Sequence, residues 1–121
     1  MGTALHFKIL AVLWFIFMLF VLFMPGSSVP EVSFSFPHFD KLIHFTLFAV
    51  FTFLLQKALT PPLFARTILL LFLFAGGSEI IQELYIPRRS GDILDFIANS
   101  TGIIFSIILT SYRFQRDRST E

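Results

Sequence analysis

The sequence predicts an all-α fold, an integral membrane four-helix bundle with cytoplasmic termini. Of its 121 residues, 55% are hydrophobic and 14% are charged, whereas a soluble domain carries about 25% charged residues. Phe alone occurs 18 times. The apolar residues stand in four blocks separated by breaks that contain proline or glycine, and each block approaches the roughly 20 residues that cross a bilayer core about 30 Å thick.

The first helix is predicted over residues 5–24. Its only charge is Lys8, near the start, and Pro25 ends it because a proline ring cannot continue the backbone hydrogen-bond ladder. A cleaved signal peptide is the alternative, with Lys8 in its n-region. The apolar run is long for an h-region, and no convincing Ala-x-Ala site precedes the break. The sequence therefore favours a retained helix.

Three further helices and a charged tail complete a single predicted domain, residues 1–121: helices at 41–59, 63–86 and 92–112, and the tail at 113–121. Thr60 is expected to cap the third helix, with Pro61 in its first turn. Residues 87–91 form the tight connection to the fourth helix.

The distribution of Lys and Arg predicts the orientation, since these residues are retained on the cytoplasmic side. The side with both termini and the second connection has six: Lys8, Lys57, Arg66, Arg113, Arg116 and Arg118. The other side has three: Lys41, Arg88 and Arg89. We therefore expect cytoplasmic termini in a multi-pass membrane protein.

Ionisable residues inside a membrane cost about 2.5–3.5 kcal/mol each and mark candidate functional sites. On the third helix, Glu79, Gln82 and Glu83 share one face. The fourth helix has a polar and small-residue stripe at spacings of three and four, Asp92, Asp95, Asn99, Gly102 and Ser106. The second helix begins with Asp40, Lys41 and His44. The predicted topology places these three sets at one membrane face, and the first helix contributes none.

Several of these residues have structural alternatives. Asp40 and Asp92 are good N-cap residues, and His44 can be a hydrogen-bonded bundle histidine. Lys41 and the arginines can snorkel to lipid phosphates. The spacing of Gly102 and Ser106 predicts close helix packing.

Glu79, Asp95 and Asn99 are explained least well by such roles. A carboxylate this far into the apolar layer must find a cation, become protonated or line a wet cavity. A purely structural ion-pair network remains the alternative for all three residues.

The sequence contains no fixed catalytic or metal-binding motif. His44, Glu79 and Asp95 are possible ligands of a hard metal, but no HExxH motif is present, so neither a metal nor a cofactor is predicted. A GxSxG nucleophile motif is also absent. The net charge of +1 provides no basic surface for nucleic acid, and the lack of cysteine excludes disulfides and thiolate metal sites.

Three segments together resemble the VanZ-like family. Residues 40–45 are similar to its DKxxHF motif, residues 79–83 to its ExxQ element, and residues 87–102 to its run of Pro, Arg, Asp, Asn and Gly. The family's arginine corresponds to Arg89. The resemblance implies a multi-pass envelope protein of the bacterial cytoplasmic (inner) membrane, from a family associated with resistance to teicoplanin, a lipid-tailed glycopeptide. A phosphotransbutyrylase activity is not supported, because the chain has no room for a soluble coenzyme-binding domain.

The leading hypothesis is a non-catalytic protein of the lipid bilayer with an outer-face pocket for a lipid-linked cell-wall precursor or a lipoglycopeptide. The residues expected to line the pocket are Asp40, Lys41, His44, Glu79, Gln82, Arg89, Asp92, Asp95 and Asn99. Arg89 and Lys41 are expected to meet anionic groups of the ligand. The alternatives are a membrane-embedded enzyme that uses His44 with Glu79 or Asp95, and a structural subunit of a complex.

The connection between the first two helices contains one patterned segment. Val32, Phe34 and Phe36 alternate with two serines, the period of an extended strand with one apolar side. Because a lone strand cannot cross lipid, we expect it to lie at the outer interface, over the pocket mouth.

Overall fold

The computed structural model describes residues 3–25, 39–87 and 92–119, and every regular element within them is an α-helix. These helices are α1 (Thr3–Leu22), α2 (Phe39–Ala58), α3 (Pro61–Tyr85) and α4 (Ile93–Ser119). All four are long and apolar enough to cross a membrane. The predicted four-helix membrane bundle is confirmed.

Local sequence explains where the helices begin and end. Pro61 and Pro62 stand in the first turn of α3, where a missing backbone N–H costs nothing. Thr60 occupies the N-cap position, but its side chain makes no capping hydrogen bond, so that part of the prediction is wrong. α4 continues to Ser119, through most of the predicted tail, because neither glycine nor proline interrupts the chain after Gly102.

The second helix, α2, lies at the centre of the bundle and contacts the other three. It runs parallel to α4, since Lys41 and Asp92 meet near one end while Gln56 and Thr110 meet near the other, where the Thr110 hydroxyl donates to Gln56 Oε1 at 3.0 Å. α1 is joined to α2 by the Trp14 indole, whose Nε1 donates to Leu47 O at 3.0 Å.

Small residues allow α2 and α4 to approach closely. A Cβ atom on Gly102 would overlap the backbone carbonyl of Phe45 and lie 3.0 Å from Ala49 N. One turn further along α4, the Ser106 hydroxyl donates to Ala49 O. Gly102 and Ser106 therefore fix both the distance and the register of these two helices.

Apolar side chains face both the interior and the exterior of the bundle. The core draws on all four helices and contains Met18, Leu22, Leu47, Phe48, Phe64, Leu71, Ala75 and Ile103. Large side chains such as Phe20, Leu69 and Ile108 are exposed on the outside. An apolar surface of this extent on a soluble protein would cause association, whereas in a bilayer it contacts acyl chains.

Candidate functional site

Lys41 joins the ends of α2 and α4 through three carboxylates. Its Nζ atom lies 2.7 Å from Asp40 Oδ2, 2.8 Å from Asp92 Oδ2 and 2.7 Å from Asp95 Oδ1. These groups meet because α2 and α4 run parallel and begin at the same end of the bundle. The ammonium group is thus paired within the protein, and its contact with anionic groups of a ligand stays a prediction.

Asp92 is both the N-cap of α4 and an ion-pair partner. Its Oδ1 accepts a hydrogen bond from Leu94 N–H at 2.9 Å, and its Oδ2 contacts Lys41. The Lys41 ammonium, followed by the Leu94 N–H, lowers the pKa of the Asp92 carboxyl below its ordinary value. The carboxylate therefore stays ionised at neutral pH. Asp40, by contrast, lies in the first turn of α2, where its charge suits the helix dipole.

Deeper in the bundle, Asn99 connects His44 to Glu79. The Asn99 amide donates from Nδ2 to Glu79 Oε1 at 3.2 Å and to Ala75 O at 3.5 Å. Its Oδ1 therefore faces His44 Nδ1, 2.9 Å away. Since a carbonyl oxygen only accepts, the proton of this hydrogen bond belongs to His44 Nδ1.

Two carboxylates flank the imidazole of His44. Glu79 Oε1 lies 3.5 Å from Nδ1, and Asp95 Oδ2 lies 3.5 Å from Nε2. The second Glu79 oxygen accepts from the Asp92 backbone N–H at 3.3 Å. The exposed fractions of His44, Glu79 and Asp95 are 5%, 7% and 6%, so two acids and an imidazole share a space from which solvent is nearly excluded. We call the connected residues the polar cluster: Asp40, Lys41, His44, Glu79, Asp92, Asp95 and Asn99.

Among the described residues, one predicted pocket residue does not join the polar cluster. Gln82 points toward α1, and its Nε2 donates to Leu22 O at 2.6 Å. It satisfies a carbonyl at the end of α1, which contributes this backbone group and no polar side chain. Arg89 lies outside the described residues. So does the segment with Val32, Phe34 and Phe36 that was expected to lie over the pocket mouth.

A groove of about 420 Å³ lies between α3 and α4, beside the polar cluster. It is lined by Gly76, Glu79, Ile80, Glu83, Leu84, Asp92, Ile93 and Phe96. Glu79 belongs to both the groove and the cluster. The sequence analysis identified the carboxylates of this groove. It missed the apolar side chains that form its wall, Ile80, Leu84, Ile93 and Phe96. The spacing of Gly76, Ile80 and Leu84 at intervals of four residues was the available signal, since it places them on one face with Glu83.

The fold and the cluster define the class of protein: a multi-pass membrane protein with an ionisable site at one end of its bundle. The chain belongs to the VanZ/LLP1 family, whose sequence model matches residues 4–114. That range contains all three segments on which the resemblance rested, and the family assignment is confirmed. No curated protein and no solved structure gives a significant match.

Proposed function

We propose that this VanZ/LLP1-family protein binds a lipid-linked or amphiphilic ligand in the groove between α3 and α4. The observation that carries the proposal is the composition of this groove, in which an apolar wall and carboxylates adjoin each other. Ile80, Leu84 and Ile93 are exposed on the outside of the bundle, where acyl chains surround a membrane protein. A ligand can therefore enter sideways from the bilayer.

The two sides of the groove suit the two parts of an amphiphile. A hydrocarbon chain fits against Ile80, Leu84 and Phe96, while its head group meets Glu79 and Asp92. Ionised carboxylates only accept hydrogen bonds, so they favour a head group rich in hydroxyl or ammonium donors. The sugars of a lipid-linked cell-wall precursor, or of a lipoglycopeptide such as teicoplanin, supply hydroxyl donors. The groove volume also falls within the usual range for ligand sites, about 300–1,000 Å³.

Gly76→Leu is expected to weaken binding by roughly tenfold or more, equivalent to about 1.4 kcal/mol, because the new side chain fills the groove. The Cβ atom of the new side chain would lie 3.5 Å from the Phe96 ring, an ordinary van der Waals distance that leaves the packing of α3 against α4 intact. The measurement is binding of dye-labelled teicoplanin and of a dye-labelled polyprenyl-linked sugar to the protein in lipid nanodiscs.

Gly77→Leu is the matched control, since it adds the same side chain one residue further along α3. A Cβ atom at Gly77 has no neighbour within 4 Å, and Gly77 does not line the groove. We expect its affinity to stay near the wild-type value. Equal binding by both variants, or no binding of either probe by the wild type, would contradict the proposal.

We also propose that the termini are cytoplasmic and that the polar cluster lies at the outer face of the bacterial cytoplasmic membrane. The Lys and Arg distribution, six against three, supports this orientation. Reporter fusions at Ser28 and Ser90 should both be extracytoplasmic, and a fusion after Glu121 cytoplasmic. The opposite pattern would place the cluster inside the cell and reject a ligand from the cell wall.

Acid–base catalysis on the same lipid-linked precursor is the second candidate function. It is favoured by the position of His44, with a carboxylate oxygen 3.5 Å from each ring nitrogen, because such pairs can hold and transfer a proton. Product formation from the polyprenyl-linked sugar in the same nanodiscs, lost in His44→Gln, would favour the enzyme. Stable binding without turnover favours the ligand-binding function.

A further inference from the structure

We propose that His44, Glu79 and Asp95 bind one divalent metal ion, of the kind that accepts imidazole and carboxylate ligands together, such as Zn²⁺ or Mn²⁺. Each residue offers one ligand atom, and these atoms all lie within 4.8 Å of one another. The sequence predicted no metal here because its ligand residues follow no fixed motif. The sequence had offered the three residues as possible ligands, and the assembled helices bring their ligand atoms together.

Each of the three residues is held by a hydrogen bond or an ion pair and keeps a lone pair for an ion. The Nδ1–H of His44 donates to Asn99 Oδ1, which leaves Nε2 unprotonated in the neutral ring. Asp95 Oδ1 contacts Lys41, which leaves Oδ2. Glu79 is fixed through both oxygens, since Oε2 accepts from the Asp92 backbone and Oε1 from the Asn99 amide, and Oε1 keeps its second lone pair. Metal-binding histidines are typically oriented by a hydrogen bond from their second nitrogen, and metal-binding carboxylates are fixed in a similar way.

The separation of His44 Nε2 and Asp95 Oδ2 supports a shared ion. In the neutral ring Nε2 carries a lone pair and lies near a carboxylate oxygen, and two such acceptors repel each other unless a cation lies between them. A direct charge-assisted hydrogen bond would bring the atoms to about 2.7–2.9 Å, but they are 3.5 Å apart. Two ligands about 2.1 Å from one tetrahedral ion are separated by roughly 3.4 Å, close to the distance observed.

The charge balance of the polar cluster also favours a cation. Its described residues include four carboxylates and one ammonium group: Asp40, Asp92 and Asp95 contact Lys41, and Glu79 accepts a hydrogen bond from the Asp92 backbone. Glu79 and Asp95 are more than nine-tenths buried, where an uncompensated carboxylate is costly. When all four carboxylates are ionised, a divalent ion reduces the negative excess from three charges to one.

The test is metal binding by the full chain in nanodiscs, stripped with EDTA and equilibrated with Zn²⁺ or Mn²⁺ in the absence of any amphiphile. We expect one ion per chain by elemental analysis, with nitrogen and oxygen ligands in the X-ray absorption spectrum. Asp95→Asn and His44→Gln should reduce affinity by more than about 100-fold, and Asn99→Leu, which releases the His44 ring, by about 10–100-fold. Because no amphiphile is used, failure here leaves the groove proposal standing.

His6→Gln is the control, since it makes the same change as His44→Gln at an exposed histidine of α1 outside the polar cluster. It should retain one ion per chain, and circular dichroism establishes that each variant is folded. A wild-type protein that holds less than a stoichiometric ion at saturating Zn²⁺ and Mn²⁺ would overturn the proposal. So would equal losses in His6→Gln and His44→Gln, which would indicate binding by any imidazole rather than coordination in the polar cluster.

Discussion

Lys41→Met is expected to destabilise the folded bundle by about 3–5 kcal/mol, the usual cost of removing one partner from a buried ion pair. The Lys41 side chain is 19% exposed, and Asp95, one of its partners, is 9% exposed at the side chain. Without the ammonium, Asp95 and Asp92 face each other and must be protonated or repel. The measurement is the free energy of unfolding in mixed detergent micelles, at neutral pH and with EDTA present.

Lys57→Met is the control, because it shows how much stability is lost when a lysine outside the polar cluster is replaced by methionine. Lys57→Met removes an exposed lysine near the other end of α2, where the ammonium lies 5.7 Å from the centre of the Phe53 ring. An exposed cation–π contact contributes about 0.5–1 kcal/mol, so the expected loss is no larger. Adding Asp95→Asn to Lys41→Met should recover part of the stability. Equal effects of the two lysine changes would show that the ion pairs do not hold α2 and α4 together.

Gly102→Ala is expected to destabilise the bundle by about 1–3 kcal/mol, the cost of overpacking a tight interior. The added carbon would overlap the Phe45 carbonyl and press against Ala49 N at 3.0 Å. Both are backbone atoms of α2 and cannot rotate away, so the helices must separate. Separation would also lengthen the Ser106 hydrogen bond to Ala49 O. Unfolding in mixed micelles again gives the free energy.

Gly77→Ala is the control for the intrinsic effect of replacing a helical glycine. With no neighbour within 4 Å of the new carbon, it should leave stability unchanged or raise it by up to about 1 kcal/mol. The difference between the two alanine variants measures the cost of the close approach alone. If Gly102→Ala were as stable as Gly77→Ala, the helix contact would not depend on a missing side chain.

The close contact and the polar cluster depend on each other. Gly102 and Ser106 set the distance between α2 and α4, and this distance brings the Asp95 and Asn99 side chains to Lys41 and His44. A displacement at Gly102 should therefore also loosen the site, about two helical turns from Asp95. Metal and ligand binding by Gly102→Ala at low temperature, where the bundle stays folded, can reveal this coupling.

The sequence by itself determined the four helices and the composition of the site. Runs of apolar residues between breaks are sufficient to predict membrane helices, because every backbone group in lipid must be paired within its own segment. Helical periodicity also placed Asp95 and Asn99 on one face of α4, since residues three and four apart are neighbours on any helix. The family motifs selected the same positions, and the family match covers them.

The tertiary structure alone decided which of these side chains meet. Lys41 could have faced a ligand or lipid, yet it binds three carboxylates because α2 and α4 are parallel and in close contact. Gln82 shares a face with Glu79, yet it turns to Leu22 O because the end of α1 lies nearer. The rotation of each helix about its axis, and the partner it faces, arise from packing between segments far apart in the chain. Local sequence determines which side chains share a face of a helix, and packing between helices determines which partners those side chains contact.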